Sequence, residues 1–456
     1  MGDSMKKFSS FQFFINYMKN PLFIGTCLLT ASGFATKILG FFYRIFLSHI
    51  FSEEALGILS LTSPVVFLVH SICVSGIQNA ITKFVASTYH QQKNQAYRYL
   101  FSGMIISVSL SGMLSFLVYQ HADFIAQTFI HESRCSVLLQ ITALSFPLAA
   151  THACINGFFF GCRKTVMPAL SQFFEQCVRI LCVFCVFYYV SSKNLQPSLT
   201  ITGIGILAGE CFSAIFSSLW LVFRTSTEPH LPIPSKLPFS LQHSSQIVKL
   251  ASPISLNRLV VSLLSTIETT QIPRQLLSYG YSQSQALSIY GIFSGMAFPL
   301  IMFPSALTGS VSALLLPTVS EAQAKRNTEH LKKILFSAVF LSLLFGICCM
   351  CFFFLASDFL GAFLFHHETV GHQIQALSLL CPFFYSTGIL NSILHGLGQT
   401  TIAFLINLLS LGLRLCIVFL CIPIFGFYGY LYGLTICQFL QNLLILLALR
   451  HHIVYN

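Results

Sequence analysis

The sequence predicts an all-α polytopic membrane protein, with about twelve transmembrane helices in two six-helix lobes related by pseudo-two-fold symmetry. Composition is the first reason: hydrophobic residues make up 55% of the 456, charged residues only 8%, and mean hydropathy is +0.77. Soluble domains are not built that way. The second is a set of mostly apolar segments, each reaching the ~20 residues that span a bilayer. The third is a duplication. At a constant offset of 235 residues, Gln140, Pro147, Asn156, Gly161, Thr165 and Arg179 fall on Gln375, Pro382, Asn391, Gly396, Thr400 and Arg414. Pro64 and Pro299, and Ser75 and Ser310, keep the same register. Chance similarity between greasy segments does not produce coincident polar residues and prolines, so the chain reads as a transporter made of two repeats.

The segments follow in order, and Lys and Arg set their orientation because they resist translocation and gather on the cytoplasmic side. Segment one, 22–49, follows Lys6, Lys7 and Lys19; it is too long for a signal-peptide core and carries Lys37 and Arg44, so it is read as retained. Segments two and three, 56–84 and 99–120, are joined on the inside by Lys83, Lys93 and Arg98. Segments four and five, 136–160 and 166–190, flank Arg163 and Lys164. Segment six, 200–223, closes the first lobe. The second lobe holds segments 247–272, 288–316, 332–356, 372–395, 401–422 and 427–449. With both termini inside, sixteen basic positions are cytoplasmic and only Arg134, Lys193 and Arg274 lie outside. The net charge of +11 is therefore a topology signal, and no nucleic-acid partner is implied.

The resulting division is a cytoplasmic N-terminal segment 1–21, a six-helix lobe 22–223, a cytoplasmic linker 224–246, a six-helix lobe 247–449 and a cytoplasmic tail 450–456. Pro229, Pro232, Pro234 and Pro238 mark the linker. Six helices per half is an even number, so both lobes enter the bilayer in one direction and their axis runs along the membrane normal, with a central cavity expected between them. Gly157/Gly161, Gly205/Gly209, Gly291/Gly295 and Gly429/Gly433 are GxxxG pairs that permit close helix contact.

Several chemistries are excluded. The 16 cysteines include Cys182 and Cys185 and a cluster at Cys348, Cys349 and Cys351, all in apolar segments, and read as small core residues. His367 and His372 are five apart, about 140° around a helix, where a zinc protease motif needs four, so no metal site is assigned. There is no Walker loop and no nucleophile elbow, hence no catalytic residue and no cofactor. Energy then comes from the membrane potential, from H+ or Na+, or from a partner.

Charge inside the bilayer carries the information, because a Lys, Arg or Glu at its centre costs at least ~2.5 kcal/mol. Eight such residues are present: Lys37, Arg44, Glu175, Arg179, Glu210, Arg258, Glu268 and Arg414. Lys37 and Arg44 are seven apart, on nearly one face and roughly 10 Å apart along a helix, and suit an anion track. The bland alternative for Arg44, near the outer end, is snorkelling. Ser255, Arg258, Ser262, Ser265 and Thr269 draw a polar stripe along segment seven, read either as cavity lining or as interhelical hydrogen bonding. Glu175 and Arg179, at i and i+4, suit a structural pair. Arg414 repeats that cation without the acid. Glu210 and Glu268 are single carboxylates that either titrate with a coupling ion or pair with Arg258 or Lys37.

The residues also resemble a family. Ile38-Leu39-Gly40-Phe41-Phe42-Tyr43-Arg44, Asn156-Gly157, Arg163-Lys164-Thr165, Pro168-Ala169, Gln172, Glu175-Gln176 and Arg179 are similar to the stage V sporulation protein B family. Leu256-Asn257-Arg258, Ile267-Glu268, Ile272-Pro273, Tyr290-Gly291, Gly295-Met296-Ala297, Pro299-Leu300, Pro304 and Leu316-Pro317 continue the likeness in order. That family belongs with multidrug and toxin extruders, polysaccharide exporters and MurJ-type lipid II flippases. The resemblance implies export of an undecaprenyl-pyrophosphate-linked saccharide by a monomer in the bacterial plasma membrane. Lys37, Arg44, Asn257 and Arg258 would then hold the head group among membrane lipids. Lys37 stands where MurJ-type proteins usually show arginine, and Ser294 about where they carry another. Twelve helices replace their fourteen. The expectation is lipid II for peptidoglycan, spore cortex included, moved by alternating access. Its rivals are a teichoic acid or capsule unit, a drug and cation antiporter of the extruder type, or a scaffold with a degenerate cavity. Five basic residues against three acidic ones weigh against the antiporter.

Overall fold

The computed structural model describes residues 21–89, 91–227, 241–325 and 328–455. The cytoplasmic N-terminal segment up to residue 20 and the four linker prolines lie outside the described residues. Among these there are helices and no strand. The first half contains α1 (Pro21–Ile50), α2 (Glu53–Thr88), α3 (Lys93–Gln120), α4 (Cys135–Ala143), α5 (Phe146–Gly161), α6 (Val166–Ser192) and α7 (Thr200–Thr227). The second contains α8 (Leu241–Tyr279), α9 (Gln283–Met302), α10 (Ser305–Ala324), α11 (Thr328–Phe365), α12 (Glu368–Ser378), α13 (Cys381–Gly396), α14 (Thr400–Leu420) and α15 (Ile422–Tyr455). Nine single helices among the described residues are long and apolar enough to cross a membrane, and two bent pairs bring the number to eleven. The cation-bearing α1 supplies the twelfth span, so the chain is an all-α polytopic membrane protein with six spans per half.

The bends have a cause that the duplication repeats. Helices α4 and α5 meet at 43°, and α12 and α13 at 52°. In each pair the new helix carries its proline, Pro147 or Pro382, within the first turn, where a missing N–H costs nothing. Segment eight departs from the single helix expected over 288–316. It is broken at Phe303 and Pro304 into α9 and α10, and α9 itself contains a π-helical turn, Ile292–Ala297, ahead of Pro299.

Packing divides the chain into two compact units. The first takes α1 as far as Leu39, Val66–Ile125 and Ser136–Leu259; the second takes Gly40–Val65, Ala126–Cys135 and the chain from Val260 onward. Each has its own core: Ile81, Val85, Leu100, Ile155 and Phe158 in the first, and Val319, Leu390, Leu394, Ala403 and Ile445 in the second. Lipid gives little hydrophobic drive for helix association, so close contact of small residues does more of the holding. A Cβ on Gly161 would lie 2.8 Å from the Thr82 carbonyl oxygen and 2.7 Å from Val85. Its duplicate Gly396 would meet Leu316 O at 3.0 Å and Val319 at 2.9 Å. Opposite faces expose large apolar side chains, Phe336, Leu355, Phe359 and Phe363 on α11 among them, as a lipid-facing helix does.

Candidate functional site

In the first unit the site begins with a glycine. A Cβ on Gly209 would stand 3.0 Å from Glu175 O and 3.3 Å from the Arg179 Cβ, so α7 approaches α6 closely enough to set Glu210 beside both charged residues. Arg179 Nη2 binds Glu175 Oε1 at 2.7 Å and lies 3.8 Å from Glu210 Oε1. From α5, His152 Nε2 meets Glu210 Oε2 at 2.9 Å. One turn on, Asn156 is 2% exposed, places Nδ2 3.4 Å from His152 Nδ1 and leaves Oδ1 without a partner. Half a turn of that amide would present Oδ1 to an Nδ1–H, the arrangement an imidazolium needs.

Ligand atoms of His152, Glu175 and Glu210 come within 4.8 Å of one another. The Arg179 guanidinium already contacts one carboxylate and faces the other, the place a metal ion would take. Two carboxylates against one guanidinium leave one negative charge, which a proton on His152 cancels. The arrangement can therefore load and release a proton inside an apolar lobe.

The second unit keeps the cation and changes everything around it. Arg414, the duplicate of Arg179, binds Glu268 through Nη2 at 2.7 Å and Nε at 2.9 Å, and Tyr430 donates to the same Oε1 at 2.9 Å. Arg414 thus has an acid after all, taken from α8, and Glu210 and Glu268 are matched to His152, Arg179 and Arg414 rather than to Arg258 or Lys37. At the 235 offset Glu175, His152 and Glu210 become Ser410, Thr387 and Ile445. Neutral amides fill that space: Gln441 accepts from Ser410 at 3.0 Å and donates to Asn407 at 2.5 Å, and Asn442 donates to Thr387 at 3.0 Å.

The four residues expected to hold substrate are exposed side chains. Arg44 donates through Nη1 to Ser294 O at 2.9 Å. That carbonyl is available for a local reason. In the π turn the Phe298 N–H goes to Phe293 O, and the following residue, Pro299, has no N–H to offer. Lys37, Asn257 and Arg258 make no hydrogen bond or ion pair among the described residues. Lys37 and Arg258 belong to the first packing unit and Arg44 to the second. Along α8 the hydroxyls of Thr266 and Thr269 bond back to Ser262 O and Ser265 O at 2.7 and 2.8 Å, so these two are satisfied by their own helix. His152 was absent from the sequence expectations, although an imidazole in an apolar segment is an intramembrane ionisable group like any other.

A family model described as polysaccharide biosynthesis protein matches residues 22–323, and the MatE model matches residues 253–420. The chain belongs to the polysaccharide biosynthesis protein family. With MATE and MurJ proteins it falls in the MOP superfamily, as the sequence motifs imply. It is 24% identical over 406 residues to stage V sporulation protein B of Bacillus subtilis (strain 168), covering 88% of this chain and 78% of that protein. Two solved structures share the fold. An inward-facing multidrug resistance MATE family transporter of the MOP superfamily matches at a TM-score of 0.74 with 14% identity, covering 92% of this chain and 95% of the other. Lipid II flippase MurJ in an inward closed conformation matches at 0.73 with 17% identity, covering 93% and 87%.

Proposed function

We propose that this member of the family is a flippase for an undecaprenyl-pyrophosphate-linked saccharide, lipid II first among them, working by alternating access in the bacterial plasma membrane with both termini cytoplasmic. One observation carries the reading: Lys37, Arg44 and Arg258 stand in membrane spans with no carboxylate partner among the described residues. A cation kept in hydrocarbon without an internal counter-ion has an anion to meet, and a pyrophosphate is doubly suited to a guanidinium. Asn257 adds a neutral donor and acceptor for sugar. The family relationship supports the saccharide, and the likeness to a lipid II flippase and a sporulation protein supports peptidoglycan, cortex included. The His152, Glu175 and Glu210 group supports coupling to protons. That group also favours the second reading, a MATE-like drug and cation antiporter, more than the sequence alone does.

The test is expression in bacteria depleted of their own lipid II flippase. Wild type restores outward exposure of lipid II, and Lys37→Ala or Arg44→Ala lowers it at least tenfold. Failure of well-inserted wild type moves the substrate to another lipid-linked saccharide, such as a teichoic acid or capsule unit; undiminished restoration by both variants removes the cations from the mechanism.

A further inference from the structure

A second imidazole stands near the proton-loading group of the first unit. His70 ends the first α-helical stretch of α2, Glu53–His70, is exposed, and is followed by a π turn, Ser71–Ser75. Single π turns of this kind are frequent at functional sites. Neither feature is repeated in the second half: at the 235 offset His70 falls on Ser305, and residues 306–310 are regular α-helix within α10. His70 is therefore lost in the duplicate together with His152, Glu175 and Glu210, which become Thr387, Ser410 and Ile445, while the cation Arg179 is kept as Arg414.

Helix packing places His70 between that group and a substrate-binding candidate. Helix α2 runs parallel to α5: a Cβ on Gly157 would lie 2.8 Å from Gln78 O and one on Gly161 2.8 Å from Thr82 O, an advance of four residues on both helices. The same register sets His152 level with Cys73, about one turn from His70, and Val69 and Cys73 share a core there with Ala150 and Ala153. Helix α2 runs antiparallel to α8. Ile81 and Ile247 both close on Gly103, at 2.6 and 3.4 Å from its Cβ position, and five residues back along α2 a Cβ on Gly76 would stand 2.6 Å from Ala251 O and meet the Ser255 hydroxyl. Six residues further back, His70 comes level with the turn of α8 that carries Arg258. The imidazole accordingly lies in the field of Glu210 and His152 and of Arg258. His70, His152, Glu175, Arg179, Glu210 and Arg258 all belong to the first unit.

We propose that His70 is the proton-transfer residue of the first unit, carrying protons between water and the His152 and Glu210 pair. The inference rests on the reading that this pair loads a proton. The His152 and Glu210 side chains are only 13% and 15% exposed, and the Glu210 Oε2 that faces His152 is closed to solvent, so the pair needs an intermediary. His70 is exposed, its ring makes no hydrogen bond among the described residues, and imidazole is the side chain whose ordinary titration falls between pH 5 and 8. A proton leaves water for a His70 ring nitrogen, passes inward to His152 Nδ1 while the Nε2–H keeps its bond to Glu210, and leaves His70 neutral for the next transfer. The cation at Arg258 repels charge on His70, so the proton does not rest there and moves on to the carboxylate side.

The experiment is a laser-released pH jump on the purified full-length protein in detergent, followed by time-resolved infrared absorption of imidazole and carboxylate groups. In wild type, arrival of the proton at the pair is the phase that His152→Gln abolishes. His70→Ala keeps the amplitude of that phase and slows it at least tenfold; added imidazole restores the rate in His70→Ala and leaves wild type unchanged, a rescue that a merely structural role does not give. Equal melting temperatures of His70→Ala and wild type show that the fold is retained. A phase as fast in His70→Ala as in wild type, or slowed without rescue, overturns the relay and leaves the proton site in place. No difference between wild type and His152→Gln overturns the proton site itself and the relay with it.

Discussion

Arg179 and Arg414 occupy the same place in the two halves of the duplication and live in different electrostatic worlds. Around Arg179 stand two carboxylates and an imidazole, a set whose total charge changes by one when a proton arrives. Around Arg414 stand one carboxylate with two charge-assisted bonds to the guanidinium, a tyrosine hydroxyl and a field of neutral amides. The first interior can switch; the second is fixed. The duplication thus keeps the cation in both halves while one half surrounds it with a group that can exchange a proton and the other with a fixed ion pair. The turns at His131 and His366 diverge in the same manner, one closed by guanidinium and carboxylates, the other by imidazoles.

The comparison breaks most visibly at the fixed site. Arg414→Ala leaves Glu268, 3% exposed, without its cation, and removal of one partner of a buried pair costs about 3–5 kcal/mol. The melting temperature in detergent falls accordingly, and the Arg414→Met/Glu268→Gln double variant recovers most of it. Full stability in the single variant would show that lipid or water reaches the site. A subtler change sharpens the switchable site: His152→Gln keeps a polar side chain beside Glu210 and shifts the melting temperature little, while the dependence of transport on pH between 5 and 8 flattens. A profile identical to wild type would take His152 out of coupling. The smallest effect is expected at the turn around His131. Burial by itself would raise the Glu132 carboxyl, but bonds from Arg134 and Gln283 hold it below the usual carboxylate range. A depressed folded pKa contributes stability above the unfolded value of ~4.3 and loses it as pH falls through the lower folded value. Protection of the amides at residues 130–135, with the intrinsic pH dependence of exchange divided out, therefore stays constant from neutral pH down to about 4 and falls below it. Arg134→Met, which removes a half-exposed cation, costs about 1 kcal/mol or less and moves that fall in protection to higher pH.

How much of this was legible beforehand differs by feature. Duplication and the approximate span limits follow from residues adjacent in sequence or locked to one offset; the two bends do not, since 136–160 and 372–395 each read as one span by hydropathy although Pro147 and Pro382 stand inside them. The break of segment eight does not follow from hydropathy, because Phe303 and Pro304 interrupt it without a drop in apolar character. The Glu175 and Arg179 pair is local, at i and i+4, and readable as such. Glu268 and Arg414 are 146 residues apart, and only packing of α8 against the later helices makes them partners. His152 carries no formal charge at neutral pH, so it does not stand out among the intramembrane Lys, Arg and Glu, and only its contact with Glu210 reveals it. The Arg44 contact with Ser294 O needs both the π turn and Pro299, a coincidence that no periodicity announces.

The central claim is that cations in the spans carry a pyrophosphate-linked saccharide across the bilayer, and its most direct test is movement of the lipid itself. Purified protein in liposomes, supplied with a fluorescent undecaprenyl-pyrophosphate disaccharide, is followed by an impermeant quencher. The account predicts quenching of inner-leaflet label by wild type and by Lys37→Arg, with at least a tenfold slower rate for Lys37→Ala and Arg44→Ala. Wild type no faster than protein-free liposomes, or alanine variants as fast as wild type, would contradict it.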